Sequence, residues 1–132
     1  MKKTAEENKK FWDAQAQQHE GHAVSWWDVH MKKLEIDHII PYLQSTDVVL
    51  DVGCSNGAST VAIQQAVGCT IEAIDFSLRS IQQAVPHPQI TYAVGDILEM
   101  DTAASFDKIF SIRCLINLMS TESQHKARLN IH

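Results

Sequence analysis

One stretch constrains this chain more than any other: Val48-Val49-Leu50-Asp51-Val52-Gly53-Cys54-Ser55-Asn56-Gly57-Ala58-Ser59-Thr60. A nearly continuous β-branched and aliphatic run passes into a glycine-bearing break, and a helical pattern follows from Ala58 to Val67. Continuous rather than alternating hydrophobicity is how a strand buried on both faces reads. Such a strand needs cover above and below, which points to an α/β architecture. In open parallel sheets this turn lies at the carboxyl ends of the strands, where ligands bind. Gly53 and Gly57 admit unusual dihedrals and a close approach of ligand to backbone. The amides that open the next helix face the same way. A plain βα connection has the same pattern, so the glycines alone leave both roles open.

The remaining pattern repeats the alternation. Residues 1–10 are polar and lysine-rich and read as a flexible tail, frayed or weakly helical, with the domain proper over 11–132. His30 to Leu43 is helical, with Met31, Leu34, Ile39, Ile40 and Leu43 as its apolar positions and Pro41 ending it near Ile40. Lys32, Lys33, Glu35 and Asp37 fall between them as polar positions. Thr70 to Ile74 is a second strand closed by Asp75, and Ser77 is an N-cap for a helix over Leu78 to Val85. In that helix Leu78, Ile81 and Val85 are the apolar positions, and in the preceding one Val61, Ile63 and Ala66. Ile90 to Val94 is a third strand, Phe106 to Ile112 a fourth, and Thr121 to Ile131 a last helical stretch. Strands alternating with short helices predict a parallel sheet built by right-handed crossovers.

Composition removes several classes. The 132 residues carry 16 acidic and 11 basic side chains, a net charge of −5, which disfavours a non-specific grip on nucleic acid. No apolar run approaches the length of a membrane span. The basic start lacks the apolar core of a secretory signal, so a cytoplasmic location is expected. Three cysteines without a CxxC pair give neither a disulfide framework nor a cysteine-rich zinc site. His19 and His22, and His30 and His38, have no carboxylate framework around them, so no metal is expected.

Two acids stand at strand ends beyond the glycine turn. Asp75 can accept both hydroxyls of a ribose, or serve as a carboxylate at the start of the next helix. Asp96 can accept from the exocyclic amine of a base, or be a solvated turn residue. Neither G-x-x-x-x-G-K-[ST] nor G-x-G-x-x-G occurs, which disfavours a phosphate-loop nucleotidase and weakens a nicotinamide-dependent oxidoreductase. Phe11, Trp12, Trp26 and Trp27 either cover the helical layer or form a lid over the site.

The four strand ends, taken in order, resemble class I S-adenosylmethionine-dependent methyltransferases. Leu50-Asp51-Val52-Gly53-Cys54-Ser55-Asn56-Gly57 is similar to the family's first motif, an acid followed by spaced glycines. Glu72 to Ser77 is similar to the segment whose acid holds the ribose, and Val94-Gly95-Asp96-Ile97 to the one whose acid meets the adenine. Phe106 to Ile112 is similar to the fourth-strand segment. The resemblance covers about residues 45–118 and implies S-adenosylmethionine as cofactor. Gly53, Gly57 and the backbone near Ser55 would then line its methionine part. Asp75 would take the ribose and Asp96 the adenine, with Ile97 flanking the base, and Asp51, Cys54 and Phe76 would belong to the same cofactor site. Ile112 and Arg113 would lie toward the methyl group. Ser55 departs from the pattern, standing where the family usually has its middle glycine. There its Cβ narrows the pocket or its hydroxyl supplies a hydrogen bond.

The end of the fourth strand, Ser111 to Leu115, lacks the Asn/Asp-Pro-Pro-Tyr pattern of nucleic-acid amino-methylating enzymes. A small-molecule acceptor is therefore expected, with no nucleic acid or membrane partner. A non-catalytic cofactor-binding or protein-interaction module is the alternative. Against the family's seven strands, this chain has motifs for a Rossmann-like sheet truncated to strands 3-2-1-4. Strand four would then be an edge calling for cover, by a second copy of the chain in a homodimer or otherwise.

Overall fold

The computed structural model describes residues 4–18, 29–99, 106–112, 114, 122, 124–126 and 129. Expectations for Trp26, Trp27, Arg113 and most of the helix over 121–131 lie outside the described residues. Four strands form one parallel sheet: β1 (Val48–Val52), β2 (Thr70–Asp75), β3 (Ile90–Val94) and β4 (Lys108–Phe110), in the order β3-β2-β1-β4. This is the sheet order expected from the sequence. Central β1 pairs with β2 from Val48↔Thr70 to Val52↔Ile74, and with β4 from Val49↔Lys108 to Asp51↔Phe110. The in-register ends bring Val52, Asp75, Val94 and the residues after Phe110 to one edge of the sheet.

Helix α3 (Ala58–Val67) links β1 to β2 and ends at Gly68, whose φ of 82° lets its N–H close back on Gln64. Helix α4 (Leu78–Gln82) links β2 to β3. Val49 lies in one apolar cluster with Ile36, Ile63, Ile71 and Ile90; Leu50 and Val52 lie in the other with Ile74 and Ile97. The first cluster is packed by α2 (Val29–Ile39), α3 and α4, and the second by Leu98, Phe106 and Ile109. Both faces of β1 are thus covered, as its unbroken hydrophobicity requires.

Two helices differ in phase from the sequence pattern. In α2 the buried residues are Lys32 and Ile36, continued by partly buried Ile39, Ile40 and Leu43, while Met31 and Leu34 are exposed. The register is set by packing against α3, and Ile36 in the shared cluster outweighs the two exposed aliphatics. In α4 only Ser80 is buried; Leu78 and Val85 are exposed and the helix stops at Gln82. In α3 Ala66 is exposed, and the buried face includes Thr60 and Gln64, whose side chain donates to Cys69 O and Gln89 Oε1. Pro41 ends α2 as expected, passing it into a 3-10 turn over Ile40–Tyr42.

The stretch read as a tail belongs largely to helix α1 (Ala5–Gln18). Thr4 and Glu7 start it as a capping box: the Glu7 N–H donates to Thr4 Oγ1 at 3.2 Å, and the Thr4 N–H to Glu7 Oε2 at 2.6 Å. Helix α1 packs on α4. The Ser77 hydroxyl donates to Asp13, and Gln83 Nε2 donates to Ala16 O at 2.5 Å, with Ala16 fully buried. Strand β4 is shorter than the pattern over 106–112. Its entrance is fixed by Asp107, whose N–H donates to Val48 O while its carboxylate accepts the Val48 N–H. Lys108 reaches Asp47 at 3.1 Å.

Ser77 caps α4 by accepting the Ser80 N–H and also holds α1 through Asp13. Ser77→Ala should therefore cost about 1–2 kcal/mol. Leu78→Ala, at a half-exposed apolar position, should cost less. Urea denaturation of the two variants checks the order, and the reverse order would show that α4 is held by Leu78.

Candidate functional site

The turn after β1 is built from three left-handed residues, Gly53 (φ 79°), Ser55 (φ 53°) and Gly57 (φ 78°). A β-carbon on Gly53 would stand 2.6 Å from the Cys114 Cβ, and one on Gly57 2.5 Å from the Tyr92 hydroxyl. Both glycines are thus required by backbone conformation and by side chains packed against them. Ser55 takes the same left-handed region with a side chain, at an order of 1 kcal/mol in backbone energy. Its N–H, and not its hydroxyl, makes the turn's key bond, donating to Asp75 Oδ2 at 2.9 Å. The N–H groups of Gly53 and Cys54 both donate to Ile74 O, so β2 steers the turn.

Asp75 is buried at the end of β2. Besides the Ser55 N–H it accepts the Ser77 N–H through Oδ1 at 2.9 Å. Of the two roles expected for this acid, support of the start of α4 is the one seen, and each oxygen retains a further lone pair. Burial pushes its carboxyl up, against the two amide bonds, with Asp13 adding to the rise. Asp51 is also buried and accepts the Thr60 hydroxyl at 2.6 Å. Burial raises it to about 7; the Thr60 bond lowers it, Asp75 raises it and Lys32 lowers it. Asp96 is exposed in the turn after β3, where Oδ1 accepts the Leu98 N–H, and neighbouring Ile97 is buried.

These residues surround two adjoining cavities at the carboxyl ends of the strands. The larger, about 570 Å³, is flanked by Phe76, Asp96, Ile97 and Leu98, with Glu6 and Lys9 of α1 along its rim. The smaller, about 70 Å³, is flanked by Asp51, Ser55, Asn56, Ser59 and Ile112, with Trp12 and Lys32 closing it. Gly53, Asp75, Phe76 and Cys114 line both, so the two form one arc over β1, β2 and β3. Gly57 lines neither and sits behind the turn against Tyr92. Lys32, Trp12 and α1 are the contributions that strand motifs do not reveal. Trp12 packs edge-on against Phe11, with ring centroids 5.1 Å apart. Lys32 lies four residues before Ile36 on the buried face of α2, a spacing that marks it once the phase of that helix is known.

Neither of the described cysteines that line the site is poised as a nucleophile. Burial pushes the Cys54 thiol far up and the Cys114 thiol to about 11, so neither supplies a thiolate at neutral pH. Among the described residues no group of three or more histidine, cysteine, aspartate or glutamate side chains is placed to hold a metal ion. No helix among them is long and apolar enough to cross a membrane.

The raised value of Asp51 has a sign. Its folded form holds a proton to higher pH than the unfolded chain, whose ordinary value is 3.8. Its stabilisation is complete below that value and is lost as pH rises through about 7. Asp51→Asn removes this loss. On going from pH 4 to pH 8 the variant should gain roughly 2–4 kcal/mol relative to the parent chain. Urea denaturation across that range tests this, and parallel stability curves would show that Asp51 ionises at an ordinary value.

Comparison with known proteins agrees with this geometry. The sequence model of a family described as a methyltransferase domain matches residues 49–132. The sterol 24-C-methyltransferase of Eremothecium gossypii is 30% identical over 88 residues, which are 61% of this chain and 24% of that protein. The chain thus spans about a quarter of the length of the curated relative it matches. Phosphoethanolamine N-methyltransferase 1 of Haemonchus contortus, solved with phosphoethanolamine and S-adenosylhomocysteine, superposes with a TM-score of 0.76 at 19% identity. The match covers 97% of this chain and 30% of that one. The N-methyltransferase NodS of Bradyrhizobium japonicum, solved with S-adenosyl-L-homocysteine, gives a TM-score of 0.74 at 19% identity, covering 93% and 65%. At these identities the two structures establish a shared fold.

Proposed function

This chain belongs to the class I S-adenosylmethionine-dependent methyltransferase family, and on that premise we propose that it binds S-adenosylmethionine along the two joined cavities and serves transfer of the methyl group to a small molecule. The observation that carries the reading is the position of Asp75. It lines both cavities at the end of β2, buried and anchored by two amides, with accepting capacity left on each oxygen.

The residues fit such a ligand part by part. The larger cavity falls within the roughly 300–1,000 Å³ of small-molecule sites and offers a buried aliphatic wall at Ile97 beside the Asp96 carboxylate. That pairing suits a flat base with an exocyclic amine. Asp75 takes the ribose hydroxyls, with Phe76 beside it. The smaller cavity, at Gly53, Cys54, Ser55 and Ile112, takes the chain that carries the sulfur. Asp51 and Asp75 are two buried carboxylates whose ionised forms are poorly compensated, and a bound cation relieves both. When bound, the cofactor supplies an electrophilic methyl group on a positively charged sulfur; the protein's part is to hold and orient it. Two features support a small acceptor: the sterol named for the curated relative, and a net charge of −5 that opposes a nucleic-acid backbone.

Calorimetric titration tests the reading directly. S-Adenosylmethionine and S-adenosylhomocysteine should bind the folded chain, and NAD should not. Asp75→Asn should weaken both sulfur ligands by about tenfold or more, the worth of a buried charged acceptor. NAD binding more tightly than either would replace the proposal with an oxidoreductase. Unchanged affinity in the variant would remove Asp75 from the ribose.

A further inference from the structure

We infer that Tyr92 is a positioning residue of the ligand site: its ring stands behind the glycine turn, rests on Gly57, and so holds one wall of the smaller cavity in place. The inference rests on the cofactor reading above and extends it to a side chain of β3 that lines neither cavity.

The end of the turn and the start of α3 form one wall. Ser55 and Asn56 precede Gly57, Ala58 and Ser59 follow it, and all four line the smaller cavity while Gly57 does not. Gly57 is the N-cap of α3, left-handed at a φ of 78° and without a side-chain cap. Its N–H donates to Cys54 O at 3.0 Å, and its C=O accepts the Val61 N–H at 2.9 Å. Glycine passes readily between conformations, so this is the point of the wall with the least restraint of its own. Tyr92 meets it from behind. A β-carbon on Gly57 would lie 2.5 Å from the Tyr92 Oη, 2.6 Å from Cε1 and 2.9 Å from Cζ. These distances fall well inside the roughly 3.5–4.0 Å at which carbon atoms pack, so the end of the ring rests on the glycine backbone itself. The base of the ring is fixed by the sheet, where Tyr92 pairs with Ala73 of β2 and packs on the cluster that holds Cys54 and Ile63. The register of the sheet thus reaches the turn through one rigid side chain. The hydroxyl shows which part of that side chain acts. Tyr92 Oη is buried and has no hydrogen-bond partner, and burial pushes the phenol up to about 12. A hydroxyl bonded to nothing does not hold the turn by a bond; the contact of the ring does.

The test compares a ligand that reaches both cavities with one confined to the larger. S-Adenosylhomocysteine carries the sulfur chain; adenosine is base and ribose only. In calorimetric titration of the full chain, Tyr92→Leu should weaken S-adenosylhomocysteine by roughly tenfold or more, the scale of loss when a supporting side chain lets a site shift. The same variant should change adenosine by less than about threefold, and Tyr92→Phe, which keeps the ring, should leave both ligands within about threefold of the parent chain. Gly57→Ala should weaken S-adenosylhomocysteine in the parent background, and by a factor at least about threefold smaller in the Tyr92→Leu background, where the ring no longer meets the added methyl. Equal losses for both ligands in Tyr92→Leu, or none for either, would overturn the inference and leave Tyr92 a packing residue. A loss in Tyr92→Phe as large as in Tyr92→Leu, or the same Gly57→Ala penalty in both backgrounds, would overturn it too. A second measurement needs no variant: in the parent chain, nuclear Overhauser contacts between the Tyr92 ring protons and the Gly57 α-protons should be present with and without S-adenosylhomocysteine. Their loss on binding overturns the inference even where Tyr92→Leu does not fold. Failure of the parent chain to bind S-adenosylhomocysteine would overturn the cofactor reading, and this inference with it.

Discussion

The Asp75 carboxylate is the interaction on which the rest of the site depends. Through one oxygen it fixes the Ser55 N–H and hence the left-handed turn after β1; through the other it fixes the Ser77 N–H and hence the start of α4. Ser77 in turn holds Asp13 of α1. One buried side chain thus ties β2 directly to the turn and to α4, and through Ser77 to α1. Two amide donors offset part of the cost of burying this carboxyl, and burial still holds it above the usual carboxylate range. Because β2 is hydrogen-bonded between β1 and β3, the sheet itself sets where this carboxylate stands.

The elements readable in the sequence were those fixed by local chemistry. Each of the four strands was legible because its residues are β-rich and its ends are marked by Gly, Pro or Asp. Parallel order came from alternation with helices. Gly68 and Ser77 were legible as stop and cap because a left-handed carbon and a side-chain oxygen act on their own immediate neighbours. Most residues expected in the site line the arc for the same reason: the end of a buried strand fixes the position of the few residues beyond it.

Phase was not legible where tertiary packing decides it. Met31 and Leu34 look like core positions of α2 and are exposed, while Lys32 is buried. Nothing local marks Lys32, since its burial depends on α2 lying over α3 and on carboxylates far away in sequence. The same holds for α1. Its polar composition reads as a frayed or weakly helical tail, and what fixes the helix is a reciprocal cap at Thr4 and Glu7 and bonds to Ser77 and Gln83 more than sixty residues on. In α3 the buried polar pair Thr60 and Gln64 is equally unmarked, because each side chain is satisfied only by partners beyond its own helix.

The alternation of left-handed residues at 53, 55 and 57 has an electrostatic consequence. Successive amides in such a turn form a concavity that attracts anions, as in phosphate-binding loops. Here those donors are committed within the protein: the Gly53 and Cys54 N–H groups to Ile74 O, and the Ser55 N–H to the Asp75 carboxylate. What the turn offers at its Asp75 side is the remaining lone pairs of a carboxyl group, a surface that accepts hydrogen bonds rather than gives them.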